Sequence, residues 1–95
     1  MQVTVMGKRW NLQFVPNIRE NSHEIDRGIC DAPSMPNKRI RITRKLRDCE
    51  RLETIIHELL HAANWHLDEE FVEQCAADIS KILWKLGYRP KEQCE

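Results

Sequence analysis

The spacing of the apolar residues changes partway along this 95-residue chain, and the change limits the folds that it can adopt. In the first half, Trp10, Leu12 and Phe14 alternate with polar residues, as do Ile40 and Ile42. Alternation of this kind predicts strands with one buried face. In the second half, apolar residues recur every three or four positions, which predicts amphipathic helices. We therefore expect an α+β fold in which a small sheet is followed by two helices.

The sheet and its loops are expected within residues 1–47. Residues 3–6 and 9–15 predict a β-hairpin, because each run is rich in strand-forming residues and a glycine separates them. Residues 24–30 are a weaker strand candidate, and residues 39–43 predict a half-buried strand at a sheet edge. The expected sheet is mostly antiparallel and has three to four strands.

Two helices are expected at residues 48–65 and 68–87, and the whole chain is expected to form a single domain of residues 1–95. Asp48 and Asp68 are the expected N-caps, since a short acidic side chain accepts hydrogen bonds from first-turn N–H groups. The short connection makes the helices antiparallel neighbours. Each helix carries an apolar stripe, formed in the first by Leu52, Ile55, Ile56, Leu59, Leu60 and Ala63, and in the second by Val72, Cys75, Ala76, Ile79, Ile82, Leu83 and Leu86.

The first helix contains the motif His57-Glu58-Leu59-Leu60-His61. Residues four apart lie on one face of a helix, so both imidazoles can bind one tetrahedral zinc ion while Glu58 lies beside a water in its open position. Zinc lowers the pKa of its bound water to about 7, and a neighbouring glutamate can take the proton and return it to a leaving amine. The histidines lie away from the apolar stripe, so the metal is expected in a cleft rather than in the core.

A catalytic zinc ion needs three protein ligands, and the motif supplies two of them. The second helix begins with three glutamates, and the expected level and direction of their side chains favour Glu73, followed by Glu69 and then Glu70. His66, in the connection between the helices, is a rival ligand. The third ligand is therefore expected to be a carboxylate of the second helix, which serves as the ligand helix.

A peptidase must also stabilise the oxyanion of its tetrahedral intermediate. The phenol of Tyr88, at the end of the second helix, is a candidate for this role. Arg89 and His23 are alternatives, and the spacing does not choose among the three.

The charge balance favours no bulk partner, because fifteen basic and fifteen acidic residues cancel. A basic stripe leaves a nucleic-acid partner open, although a solvated strand face is the simpler interpretation. No apolar run is long enough to span a membrane and the N-terminus lacks a signal-peptide pattern, so we expect a cytoplasmic protein without a membrane partner. The basic stripe consists of Lys38, Arg39, Arg41, Arg44, Lys45 and Arg47.

The four cysteines contain no C-x-x-C pair, which makes a zinc finger a poor interpretation. Without a secretory signal, reduced thiols are expected rather than disulfides. Cys30 and Cys49 stay open as additional metal ligands.

The chain resembles the gluzincin branch of the zincin metallopeptidases, and more closely the very short gluzincins and the small metallopeptidase-like proteins of phages and prophages. Residues 54–62, 67–73 and 83–88 carry the resemblance, which covers about the last half of the chain. It implies a zinc ion on the two motif histidines, the motif glutamate as general base and acid, and a downstream glutamate as third ligand. In some gluzincins that ligand lies in a Leu-x-Glu-Gly segment, which would favour Glu69 here, although Glu70 stands in place of the glycine.

The sequence therefore predicts a zinc-dependent metallopeptidase that hydrolyses peptide bonds of a polypeptide substrate. The alternative is a non-catalytic, zinc-stabilised binding or accessory module, in which a fourth protein ligand closes the site. A nucleic-acid-associated protease or adaptor that uses the basic stripe is a third hypothesis. The number of protein ligands distinguishes the first two, and salt-dependent DNA binding tests the third. The oligomeric state is left open.

Overall fold

The computed structural model describes residues 1–18 and 27–90 and has the expected α+β fold. None of the helices in these two ranges is long and apolar enough to cross a membrane. The elements in chain order are β1 (Gln2–Val5), β2 (Lys8–Val15), β3 (Gly28–Cys30), β4 (Arg39–Thr43), α1 (Asp48–Ala63) and α2 (Glu69–Lys85).

The four strands form one mixed sheet in the order β1-β2-β4-β3. The pairs β1/β2 and β3/β4 are antiparallel and the pair β2/β4 is parallel, so the sheet is mostly antiparallel, as expected. The predicted hairpin is confirmed, and its turn places Met6 and Gly7 at φ values of 51° and 75°. Two successive residues at positive φ give the twist that joins antiparallel strands through a two-residue turn.

The prediction that residues 39–43 form an edge strand is wrong, because β4 lies between β2 and β3. Alternating burial reports which face of a strand is covered, but it carries no information about the neighbours on either side. The short strand β3 lies at the edge instead, and it runs beside α1.

The core lies between the sheet and α1. As predicted, Trp10, Leu12 and Phe14 of β2 are buried, and Ile40 and Ile42 of β4 are fully buried. Ile55, Leu59 and Ala62 of α1 cover these side chains.

The buried face of α1 is rotated relative to the predicted apolar stripe. Its most buried residues include Arg51, Thr54 and Glu58, which are polar. The Arg51 guanidinium lies over the Phe14 ring at 4.3 Å, where the aromatic face can stabilise the cation. The apolar spacing therefore did not predict that the buried face of α1 includes Glu58.

The two helices pack against each other as antiparallel neighbours. Glu69 at the start of α2 contacts His61 near the end of α1, while Glu53 and Glu73 line one cavity further along both helices. The connection turns back through two backbone hydrogen bonds, from the N–H of Asn64 to the carbonyl of Leu60 and from Leu67 to Asn64.

The predicted N-cap is confirmed for α2 and wrong for α1. The Asp68 carboxylate accepts a hydrogen bond from the Phe71 N–H at 3.2 Å. In α1 the N-cap is Arg47, whose carbonyl accepts the Arg51 N–H at 3.2 Å, and no side chain caps the helix. Asp48 is instead the first helical residue, so its acidic charge lies inside the first turn.

The apolar stripe of α2 is covered only in part. Val72 and Ala76 are fully buried, whereas Ile79, Ile82 and Leu86 are 39%, 57% and 68% exposed. Among the described elements, α2 contacts α1 alone and does not reach the sheet. One side of the helix therefore stays open along its C-terminal half.

Candidate metal centre

The two motif histidines lie together on α1, facing α2. Their Nε2 atoms are 3.2 Å apart, and their rings meet edge to face with centroids 4.9 Å apart. The side chains of His57 and His61 are 22% and 16% exposed, so both are half-buried rather than free in solvent. The expected location in a cleft outside the core agrees with this arrangement.

Glu69, the first residue of α2, brings its carboxylate to both imidazoles. One oxygen lies 2.9 Å from the Nε2 of His57, and the other lies 3.1 Å from the Nε2 of His61. A tetrahedral zinc ion with ligands at about 2.0–2.1 Å holds neighbouring ligand atoms about 3.3 Å apart. The two imidazole nitrogens thus already have the spacing of two ligands of one zinc ion, and the Glu69 carboxylate reaches both of them, one oxygen to each, so this donor set fits the ion.

The structure brings Glu69 to the histidines rather than Glu73, which the sequence placed first. Within the described ranges, His57, His61 and Glu69 form the group whose ligand atoms converge. Glu73 lines the adjoining cavity without joining this group. Glu70 faces a different hollow, which it lines together with Asp68, Phe71 and Glu73.

The level of the connection does not explain the difference, because residues 64–68 are centred on residue 66, as the prediction assumed. That prediction compared the level and direction of positions on the helices but not the reach of their side chains, whereas the Glu69 side chain reaches from the first residue of α2 to both imidazoles. The signal that favoured Glu69 was the resemblance to the Leu-x-Glu-Gly segment of some gluzincins, because that segment identifies a residue through its position in the sequence rather than through a level in the helix pair.

His66 lies outside the cluster. Its N–H donates to the side chain of Asn64 at 3.1 Å, and the residue lines a separate hollow together with Trp65, Lys8 and Pro33. Tyr88 is also remote, because α2 spans 17 residues, about 25 Å at 1.5 Å per residue, and Tyr88 follows its far end, 62% exposed. Neither residue is therefore placed for the role expected of it.

The other oxyanion candidates do not replace Tyr88. Arg89 is engaged at the end of α2, where its guanidinium lies 3.5 Å from the centroid of the Trp84 ring and donates to the Trp84 carbonyl at 2.8 Å. His23 lies outside the described residues.

Glu58 is buried, with 7% exposure, on the side of α1 that faces β3. A Cβ atom at Gly28 would lie 3.0 Å from both Cγ and Oε2 of Glu58, and 2.9 Å from Cγ2 of Thr54. The missing side chain at Gly28 therefore lets the edge strand approach α1 and hold Glu58 in place. Sequence reasoning missed Gly28, since this contact depends on a packing distance between two remote segments.

Two cavities flank the cluster, and His57, Glu58 and Glu69 line both. The first, of about 220 Å³, is also lined by Arg27, Glu53 and Glu73 and is strongly polar. The second, of about 460 Å³, extends along β3 and includes the apolar residues Ile29, Trp65 and Leu67. Glu58 thus borders both cavities.

Burial shifts the pKa values of two groups of the site in opposite directions and favours the neutral form of both. Burial lowers the pKa of His61. The Glu69 carboxylate partly offsets this decrease and His57 adds to it, so the neutral imidazole that binds metals is favoured. Burial also raises the pKa of Cys30 to about 12, with further contributions from Glu58 and Asp31. Cys30 lines the second cavity as a neutral thiol and is not part of the converging donor group.

The basic stripe is largely committed to contacts within the chain. Arg39 and Arg41 pair with Asp31 at 3.8 and 3.7 Å, and Arg44 donates to the Phe14 carbonyl at 3.2 Å. These three basic side chains of the stripe therefore have partners within the chain, and the nucleic-acid alternative stays a prediction.

The chain was compared with protein-family models, with curated proteins and with solved structures, and none of the three comparisons finds a match. The functional interpretation therefore rests on the geometry of the chain itself.

Proposed function

We propose that this protein is a zinc-dependent metallopeptidase whose metal is held by His57, His61 and Glu69 and whose general base is Glu58. One observation carries the proposal: two imidazoles and the Glu69 carboxylate converge on one point, and the buried Glu58 lines the same two cavities as His57 and Glu69. Two imidazoles and one carboxylate form the ligand set of many catalytic zinc sites.

A zinc ion at this site would supply Lewis acidity, which polarises a carbonyl and lowers the pKa of a coordinated water to about 7. Glu58 takes the proton of the attacking water and returns it to the leaving amine. Its burial between α1 and Gly28 restricts its side chain, so the carboxylate is pre-positioned for the transfer.

An open coordination position favours catalysis over a purely structural site. A structural zinc ion is closed by four protein ligands, whereas three donors converge within the described ranges. The second cavity adjoins both histidines and gives a substrate carbonyl access to the site.

The edge strand β3 supports a polypeptide as the substrate. The N–H of Asp31 donates to the carbonyl of Arg39, and the N–H of Thr43 donates to the carbonyl of Arg27. The main-chain groups of alternate residues between Arg27 and Asp31 therefore face β4. By the same alternation, the main-chain groups of Gly28 and Cys30 point away from β4, towards the cavity that both residues line. An extended peptide can add to this edge through main-chain hydrogen bonds and pass the metal centre.

We extend the proposal to a cytoplasmic location. Cys30, Cys49 and Cys75 are free thiols, which suits a reducing compartment.

The substitution Glu58→Gln tests the proposal. Protein purified without a chelator should contain about one zinc ion per chain in both forms, because Glu58 is not a ligand. Cleavage of a quenched-fluorescence peptide library by the Gln variant should fall by about 10²–10⁴-fold, since the amide cannot accept the proton.

A matched pair of variants tests the ligand assignment. Glu69→Ala should lose most of its bound zinc, and Glu73→Ala should keep it, as measured by elemental analysis after dialysis. Zinc-loaded wild-type protein that cleaves no member of the library would favour the accessory module. Undiminished cleavage by the Gln variant at position 58 would exclude Glu58 as the general base.

A further inference from the structure

One side of α2 carries an apolar surface that no described element covers. We call it the outer face of α2, and it consists of Phe71, Cys75, Ile79, Ile82 and Leu86. Four of these residues are between 39% and 68% exposed, and Cys75 is half-buried. At 100° per residue, the outer face occupies a sector of about 80°, centred about 100° from the buried seam that packs on α1.

The spacing along the outer face is that of a two-helix seam. From Cys75 to Leu86 the steps are four, three and four residues, the alternation of three and four with which one helix presents a continuous seam to another. From Phe71 to Leu86 the face extends about 22 Å along the helix. Its shape therefore fits another helix lying alongside α2.

The charges beside the outer face select a second copy of the same helix. Asp78 and Lys85 both lie along the flank that turns away from α1, seven residues apart, and both are exposed. The opposite flank borders the seam with α1, where Ala76 is fully buried and Leu83 is half-buried, and neither residue carries a charge. The face thus has one acidic and one basic residue on the same side, as self-complementary pairing requires.

In an antiparallel arrangement, Asp78 of each copy lies beside Lys85 of the other, which gives two ion pairs. If Ile79 packs opposite Ile82 of a second copy, Asp78 lies within about 3 Å, measured along the axis, of Lys85 of that copy. The two-fold axis repeats the pair. In a parallel arrangement each charged flank would meet the uncharged flank of the other helix, and no ion pair would form.

We infer that two copies of this chain associate as a two-fold symmetric dimer through the outer face of α2, with the two α2 helices antiparallel. The metal centre stays accessible in this dimer, because Glu69 lies about 120° and Glu73 about 160° around the helix from the outer face. A single pair of helices buries less area than a standard interface, so the dimer forms at micromolar or higher concentration.

Sedimentation velocity of the full-length chain from about 1 to about 500 µM tests the inference. The mass should rise with concentration from 11.3 kDa towards twice that value. Ile82→Glu, in the middle of the face, should stay monomeric throughout. Met35→Glu is the matched control, since it places the same charge on another exposed apolar residue, and it should dimerise as the wild type does.

Charge reversal tests the antiparallel register. Asp78→Lys places like charges opposite each other in both pairs, and so does Lys85→Asp, so each variant alone should dimerise at least tenfold more weakly than wild type. An equal mixture of the two restores opposite charges at both pairs and should dimerise as wild type. Both substitutions lie on the exposed surface, and far-UV circular dichroism confirms that each variant is folded.

Three results would overturn the inference. A wild-type chain that stays monomeric over the whole range would show that the outer face does not self-associate. If the Ile82→Glu variant still dimerises, the two copies associate through a surface other than the outer face of α2. Failure of the mixed charge variants to associate would exclude the antiparallel register.

Discussion

Gly28 shows how a single missing side chain shapes the candidate site. It lies on the edge strand, and its Cα faces Thr54 and Glu58 on α1. A Cβ atom there would meet three atoms at 2.9–3.0 Å, closer than van der Waals contact allows. The glycine therefore sets the distance between strand and helix, and with it the position of the proposed general base.

Gly28→Ala should destabilise the protein by about 1–3 kcal/mol, because either the strand or the carboxylate must move. In a chain of this size, each kcal/mol lowers the melting temperature by about 4–8 °C. Peptide cleavage should fall as well, since Glu58 is displaced.

A second substitution separates the two effects of Gly28→Ala. Adding Thr54→Ser removes the Cγ2 atom that the new Cβ would meet while keeping the hydroxyl that donates to the Glu50 carbonyl. Part of the lost melting temperature should return, but cleavage should not, because the contact with Glu58 persists. Unchanged stability and cleavage in the single variant would contradict the close approach.

The thiol of Cys30 should be unreactive in the folded protein. Its pKa is raised to about 12 by burial, then by Glu58 and Asp31, so at pH 9 only about one thiol in a thousand is ionised. Alkylation with iodoacetamide, followed by mass spectrometry, should label Cys49 and Cys75 first. Glu58→Gln removes one cause of the shift and should speed the labelling of Cys30. Equal labelling of all three in the native wild type would contradict the assigned surroundings.

The same shift predicts a dependence of stability on alkaline pH. In the unfolded chain the thiol ionises from about pH 9, while the folded chain keeps its proton up to about pH 12. The contribution of Cys30 is therefore fully present below pH 9, and the free energy of unfolding falls as the pH rises towards 12. Urea titrations of Cys30→Ser, which has no ionisable thiol, should show a smaller decrease than wild type between pH 9 and 11.

Among the elements, α2 has two sides with different roles. Its first turn brings Glu69 to the candidate metal centre, and the side chain of Asp68 accepts a hydrogen bond from the Phe71 N–H of that turn. The outer face runs along the helix from Phe71 to Leu86, on the side away from the site. Because α2 contacts only α1 among the described elements, its N-cap and its helix–helix seam set the position of the third ligand.

Asp68→Ala should cost about 1 kcal/mol of stability, the usual effect of losing an N-cap. Zinc affinity should fall as well, because a frayed first turn holds Glu69 less firmly. Asp68→Asn is the control, since asparagine caps as well as aspartate. Competition with a chromophoric chelator measures the zinc affinity of all three proteins. Equal affinity in the Ala variant would show that the cap does not position Glu69.

For the whole molecule, periodicity alone predicted the hairpin, the buried face of β2, both helices and the histidine pair. These are local features, set by the spacing of residues within one element. The central place of β4, the burial of Glu58 against Gly28 and the choice between Glu69 and Glu73 were not predictable in this way. Each depends on how separate elements are placed and on how far a side chain reaches from one element to the next.

The most direct test of the metal centre is X-ray absorption at the zinc edge, on protein purified without a chelator. The structure predicts about one zinc ion per chain with nitrogen and oxygen ligands at about 2.0–2.2 Å, and a spectrum that changes in Glu69→Ala but not in Glu73→Ala. Protein without bound zinc, or a zinc ion with sulfur ligands at about 2.3 Å, would contradict a site built from His57, His61 and Glu69.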